Sequence, residues 1–298
     1  MTELVTLSDN SNFAQLAAAM GMQADVKKEA KKANTLARLK IDHSGLMGEE
    51  EIKGKKKKVQ IVDAGQFMLA VPHGDTETKY FCATPQIRLF NQRFMYKRFI
   101  KQGEKGRFVK TVMATDLKND LRDNDGGFNC GKPGGWIEDY KALSDDMKNL
   151  LKSVKRVRVL FGTINMEDTV NHLGASVDGI SNFPFIWEVD NKDAFKEMGA
   201  PIAQLVKQNR LLPQHYINLT TSENPLPNGA SFWTPNAALD LSTTLPLTEE
   251  DQKTFSDFNE WIDGYNEYII KAYNESAKEK SSAEFDEVVD EFVDVEAA

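Results

Sequence analysis

Cations and aromatic rings are interleaved over residues 88–110, a stretch that begins RLFNQRFMYKRF. Lysine and arginine pair with phosphate oxygens, and unstacked bases stack on exposed rings at roughly 1–3 kcal/mol per base. The stretch therefore predicts a surface for single-stranded nucleic acid. Its predicted contacts are Arg88, Phe90, Arg93, Phe94, Tyr96, Lys97, Arg98, Lys101, Arg107 and Lys110.

An alternative interpretation of this stretch is an amphipathic strand, with its rings in the core and its cations on the solvated side. Strand alternation over residues 88–100 would place one set on a single face: Arg88, Phe90, Gln92, Phe94, Tyr96, Arg98 and Ile100. Rings and cations then share that face, which favours the nucleic-acid interpretation, with some of the rings in the core.

Two further basic segments support the same interpretation. In VKRVRVLF, Val157, Val159 and Phe161 are expected to face inward, with Arg156 and Arg158 on the opposite face. The predicted contacts here are Lys155, Arg156 and Arg158, and in the lysine-rich run KGKKKK they are Lys55, Lys56 and Lys57. Such a run is also typical of a solvated loop or a nuclear-import signal.

A glycine-rich segment, GGFNCGKPGGW at 126–136, begins like a phosphate-binding loop. The pattern ends at Pro133, where a serine or threonine is required, and the preceding residues are polar rather than a buried strand. A tight connection is the favoured prediction, and a nucleotide-dependent enzyme using Lys132 is a weaker one. The two cysteines and four histidines show no zinc-ligand or catalytic spacing, so we expect no enzyme activity, no metal and no cofactor.

The C-terminal residues 281–298 carry seven acids and no base, which leaves the rest of a chain of net charge −8 close to neutral. This charge density predicts a disordered tail. Its phenylalanines and valines nevertheless fall at helical spacing, so it could fold on a partner or compete for a cationic groove. The predicted partner-binding residues are Phe285, Asp286, Glu287, Asp290, Glu291, Phe292 and Asp294.

Short β-like runs separated by Gly, Pro, Asn and Asp must position these residues. They predict an α+β fold, an antiparallel OB-like β-barrel elaborated with inserted helices, followed by a C-terminal helix and a disordered acidic tail. The expected domains are an N-terminal helical arm (1–35), the OB-like nucleic-acid-binding core (36–247), an amphipathic helix packed on the core (248–275) and a flexible acidic tail (276–298). The helix should dock through Phe255, Phe258, Ile262, Tyr265 and Ile269.

No leader and no long apolar run is apparent, so we expect a cytoplasmic protein that does not enter membranes.

The cationic aromatic stretch, the many short strands and the acidic tail with embedded phenylalanines resemble bacteriophage single-stranded DNA-binding proteins of replication and recombination. The segments LARLKIDHSGLMG, NQRFMYKRF, DNDGGFNCGKPGG and RVRVLFGTI also look like uncharacterised phage proteins of similar length. The first resemblance implies an OB-fold that binds single-stranded DNA without hydrolysing nucleotides, in the cytoplasm of an infected bacterium. The chain departs from the zinc-containing branch because it lacks the Cys and His cluster.

The resulting hypothesis is a non-enzymatic phage protein that binds and protects single-stranded DNA. Its tail would gate the groove and recruit replication partners such as a polymerase, helicase or primase, and it could form a homo-oligomer. The alternative is a phage virion structural or assembly protein whose cations and rings form protein interfaces.

Overall fold

The computed structural model describes residues 36–295 except 53, 54, 104, 136 and 228, with side chains for all of these except 50–52, 55, 102 and 279–295. The predicted N-terminal arm lies outside the described residues. The strands are β1 (Ala37–Ile41), β2 (Leu46–Ile52), β3 (Lys55–Val62), β4 (Phe67–His73), β5 (Thr76–Cys82), β6 (Gln86–Gln102), β7 (Lys105–Lys110), β8 (Val154–Met166), β9 (Thr169–Asn171), β10 (Ser176–Val177), β11 (Ile180–Val189), β12 (Tyr216–Pro225) and β13 (Ser231–Leu239). The helices are α1 (Asp145–Ser153), α2 (Lys192–Glu197), α3 (Gly199–Lys207) and α4 (Glu249–Val295).

One eleven-stranded sheet dominates the fold, in the order β10-β9-β5-β4-β1-β11-β8-β6-β12-β13, with β7 paired to β6. Strands β1 and β11 are parallel, and the other described pairs are antiparallel. The predicted α+β class with a mostly antiparallel sheet is therefore confirmed. The closed OB-like barrel is not found, because the terminal strands β10 and β13 do not pair and the sheet stays open. None of the described helices combines the length and apolar character needed to span a bilayer.

Strand β8 separates two hydrophobic cores, one on each face of the sheet. Leu160 and Ile164 join a core that α2 and α3 close. Val157, Val159 and Phe161 point to the opposite face, where α4 covers them. Their predicted inward positions are confirmed, and burial on both faces explains the nearly continuous apolar run at the end of this strand.

Helix α4 begins with a reciprocal cap. The Thr248 hydroxyl accepts the Asp251 N–H at 3.2 Å, and the Asp251 carboxylate accepts the Thr248 N–H at 2.9 Å, which confirms the predicted start. The helix packs on the sheet through side chains that include Phe258 and Ile262, which are 1% and 3% exposed. The prediction that Phe255 docks is wrong, because the partly buried residue at this turn is Thr254 and Phe255 is 45% exposed. The helix continues to Val295, past the end predicted near residue 275, so residues 276–295, predicted as part of a flexible tail, are helical.

Candidate nucleic-acid interface

Strands β6 and β8 lie side by side, which brings two of the three predicted basic segments together. In the antiparallel register Phe94 lies opposite Arg158, Tyr96 opposite Arg156, and Arg98 opposite Val154. A ring on β6 therefore faces an arginine on β8 at two successive positions of the same face. The segments are separated by about 60 residues of sequence, and no sequence pattern announces this pairing.

A β-bulge in β6 divides the face that strict alternation predicted. The register with β8 shifts between Leu89 and Asn91, so Phe90 is an extra residue. Phe90 packs against Phe258 of α4, and the Asn91 amide donates to Asn259 of the same helix at 2.9 Å. Residues before the bulge that were predicted to share a face with Phe94 therefore lie under α4 instead.

Arg88 and Phe90 belong to this helix-covered side, and their burial does not support the predicted contact with nucleic acid. Arg88 is 8% exposed and donates to both carboxylate oxygens of Asp251, at 2.6 and 2.9 Å, and to the Pro246 carbonyl at 3.2 Å. The pKa of Asp251 would rise with desolvation, but hydrogen bonds from Arg88 and Thr248 lower it overall. Phe90 is 6% exposed. Both residues hold α4 on the sheet.

Three lysines predicted to contact nucleic acid lie on the same side of the sheet and pair with two acids, Glu188 in β11 and Asp190 directly after this strand. Lys97 Nζ lies 3.1 Å from Glu188 and 3.2 Å from Asp190. Lys110 lies 2.8 Å from Glu188, and Lys155 lies 3.6 Å from Asp190. A phosphate would have to compete with these carboxylates, so the network is better explained as an internal one.

Electrostatics within this network reinforce the pairing. Desolvation would lower the pKa of Lys97, but Glu188 and Asp190 raise it overall. Desolvation would raise the pKa of Glu188, but Lys110 and Lys97 lower it overall. Each partner thus stabilises the charged form of the other.

Arg93 also lies on the helix-covered side and is half-buried. It donates to the side chain of Asn91 and, at 2.9 Å, to the Gln92 carbonyl. Desolvation lowers its pKa, and the charge of Asp263 on α4 opposes this effect. It is better explained as a support for the bulge than as a phosphate contact.

The opposite face of β6 and β8 carries Arg156 and Arg158, for which the described residues provide no carboxylate partner. The guanidinium of Arg158 lies 5.0 Å from the centre of the Phe94 ring and 4.6 Å from that of Phe195, a residue of α2. Burial lowers the pKa of Arg158 through desolvation, and no acid offsets this. Arg156 is exposed, with its guanidinium 6.0 Å from the Phe195 ring centre.

Arg98 extends this face toward the glycine-rich loop. One of its nitrogens is 3.5 Å from the Cys130 carbonyl, and its buried Nε finds no acceptor among the described residues. Across the part of the chain that the structure describes, no carboxylate is at ion-pair distance from Arg98, Arg156 or Arg158. We call these three arginines, with Phe94 and Phe195, the arginine strip.

Tyr96 does not offer a ring for base stacking, contrary to the prediction. It is 5% exposed and packs with Val109, Leu121 and Val154 in a small core. Lys132 lies over this ring, with its Nζ 5.5 Å from the centre, which places one more cation beside the strip. Phe94 is half-buried beneath Arg158.

The glycine-rich loop is organised by Asp123, which is 2% exposed. Its carboxylate accepts the backbone N–H groups of Asp125, Gly127 and Cys130 at 2.9–3.0 Å, so these amides are already engaged. Gly126 has φ 73°, and a Cβ there would lie 2.8 Å from a backbone nitrogen of α4. The loop is therefore a tight connection that seats the helix, as the favoured prediction had it.

The hairpin of β6 and β7 carries two other predicted contacts, Lys101 and Arg107. Lys101 is exposed, and Arg107 pairs with Asp125 at 2.5 Å. Phe99 and Phe108 are each 48% exposed, with ring centres 5.0 Å apart. They form the most accessible rings of the basic stretch, although neither was among the predicted contacts.

The lysine-rich run is a strand rather than a loop. Lys56 pairs with Glu49 of β2 at 3.1 Å, and Lys57 is exposed. The side chain of Lys55 lies outside the described residues, as do those of the predicted partner-binding residues in the tail. Phe195 was not among the predicted contacts, because in the sequence it is one apolar residue of a short predicted helix.

Comparison with known proteins adds no relative, because no protein-family model, curated sequence or solved structure matches the chain. In the described part of the chain, no three His, Cys, Asp or Glu side chains come together as a metal site.

Proposed function

We propose that the chain binds single-stranded DNA along the arginine strip and coats it during bacteriophage replication and recombination. The observation that carries the proposal is the difference between the two faces of β6 and β8. On the helix-covered face Lys97, Lys110 and Lys155 have carboxylate partners. On the other face Arg156 lies beside a ring, and Arg158 lies against two rings and donates to the Phe195 carbonyl and the Gln92 side chain, with no described carboxylate at ion-pair distance from either. Guanidinium groups held on aromatic rings can pair with phosphates while presenting flat surfaces to bases.

A gel-shift titration with a single-stranded oligonucleotide at two salt concentrations tests this proposal. Three or four phosphate contacts predict an affinity that falls about 20–50-fold between 50 and 200 mM salt, because each contact with a single strand contributes about 0.7 to the logarithmic slope. A duplex of the same length should bind more weakly because its bases are stacked and unavailable. Binding that is absent, or that does not respond to salt, would contradict the proposal.

A virion structural or assembly protein remains the second candidate, and the outer surface of α4 favours it. Phe255, Tyr268 and Ile270 are 45%, 65% and 36% exposed, which is typical of a surface that meets another protein. The same titration separates the candidates, because a structural protein should not prefer single strands over duplex. Its abundance in purified particles would be the positive result.

We further propose that the acidic tail gates the arginine strip and recruits replication partners when DNA displaces it. Residues 281–295 lie in α4, so gating requires this segment to leave the helix. As a tethered polyanion it would then compete at an effective concentration that reaches the millimolar range. Deleting residues 281–298 is therefore expected to tighten binding to the oligonucleotide by about tenfold, if the tail occupies the cations with an affinity of about 0.1 mM. The titration of the truncated chain measures this, and unchanged or weaker affinity would argue against gating.

A further inference from the structure

The lysine-rich run pairs with an acidic strand and forms an arm of its own. Strands β2 and β3 make a two-stranded sheet that pairs with no other described strand. In its register Glu49 lies opposite Lys58, Glu50 opposite Lys57, and Glu51 opposite Lys56. One strand of the arm is therefore acidic, and the other is basic.

Among the arm residues whose side chains the structure describes, those at its base are anchored in a core. Val62 is 2% exposed and packs with Met68 and Phe81, and Leu46 and Ile61 add to this cluster. Farther out, Lys56, Lys57 and Lys58 are exposed, and the Lys56–Glu49 pair is open to solvent on both sides. The outer half of the arm thus presents two unpaired strand edges of opposite charge.

Unpaired edges can template pairing with another strand. Lysines alone on both edges would discourage this, but here the two edges complement each other. Pairing like edges would oppose Glu to Glu or Lys to Lys, which is destabilising. Pairing the β2 edge of one copy with the β3 edge of the next repeats the register of acidic against basic residues that the arm itself has.

We propose that this arm joins copies of the chain head to tail, with the acidic β2 edge of one copy adding to the basic β3 edge of another. Because the two edges differ, the contact is heterologous and leaves a free edge at each end of the assembly. An open row of copies grows with concentration rather than closing as a dimer. The inference goes beyond the proposed function, since it requires no nucleic acid, although such a row would suit a protein that coats a strand.

Sedimentation velocity of the full chain without DNA tests the proposal at about 0.1 M and about 1 M salt, where the Debye length falls from about 10 Å to about 3 Å. At the lower salt concentration the chain should form a series of species that grows with protein concentration, and at the higher one it should be mainly monomeric. A monomer at every concentration, or a single closed dimer, would overturn the proposal.

Two variants connect that behaviour to the arm. A basic-strand reversal places acids on both strands, and we expect at least about tenfold weaker association, since attractive cross-strand pairs become repulsive. A swapped arm reverses both strands and keeps the pairing within the arm. The first variant carries Lys56→Glu, Lys57→Glu and Lys58→Glu, and the second adds Glu49→Lys, Glu50→Lys and Glu51→Lys.

The swapped arm keeps the test decisive if the first variant merely unfolds the arm. It should associate with itself as the wild type does, because its two edges remain complementary. A swapped arm that associates no better than the basic-strand reversal would overturn the proposal, and the outcome is independent of any test of DNA binding.

Discussion

Replacing Arg88 with methionine is expected to lower the free energy of unfolding by about 3–5 kcal/mol, the usual cost of removing one partner of a buried ion pair. The side chains of Arg88 and Asp251 are 10% and 14% exposed, and the two guanidinium–carboxylate contacts join β6 to the first turn of α4. Without the guanidinium, the partly buried Asp251 carboxylate keeps only the Thr248 N–H of the helix cap as a partner. Chemical denaturation followed by circular dichroism measures the change.

A double variant separates the orphaned charge from the loss of packing. Arg88→Met combined with Asp251→Leu removes both charges and replaces them with apolar volume, which is often close to neutral for stability. It should therefore recover much of the loss, less the contribution of the helix cap. A single variant that costs less than about 1 kcal/mol would contradict the structural role assigned to this pair. Neither variant should change DNA affinity per folded molecule, because Arg88 is covered by the helix.

The sequence predicted β8 better than β6, and the reason is local. Strand β8 keeps regular alternation, so its inward valines and outward arginines could be assigned from spacing alone. Strand β6 contains a bulge at Phe90, and one extra residue moves every later side chain to the other face. The start of α4 was also predictable, because Thr248 and the acids after it form a cap within four residues.

Charge neutralisation could not be predicted, because it depends on distant parts of the chain. Lys97 meets Glu188 only after β11 and β6 are placed on either side of β8. Phe195 reaches Phe94 and Arg158 from α2, which the same topology carries across the sheet. The lysine-rich run is a different case, because the acids that lie opposite it are only a few residues earlier, and the hairpin they form was not predicted. Composition identified the cations, and only topology distinguishes those with carboxylate partners from those without.

Reversing the charge of Arg156 with Arg156→Glu is expected to weaken binding to single-stranded DNA by more than about tenfold, and to make its salt dependence shallower by about the slope of one phosphate contact. Arg156 is exposed and lies opposite Tyr96 within the arginine strip, beside the Phe195 ring. Its substitution breaks no described ion pair, so stability should change by less than about 0.5 kcal/mol. Fluorescence anisotropy with a labelled oligonucleotide at several salt concentrations measures both quantities.

The neighbouring residue provides the matched control. Lys155→Glu makes the same change of charge one position earlier on β8, where alternation turns the side chain to the opposite face, beside Asp190. Both residues are exposed, so the two variants share net charge, strand and solvent access. They differ in the face they occupy and in the contact with Asp190, which Lys155→Glu removes. If the arginine strip binds the DNA, Lys155→Glu should retain most of the affinity. Equal losses in both variants would mean that DNA responds to overall charge rather than to this surface, and the proposed interface would then be wrong.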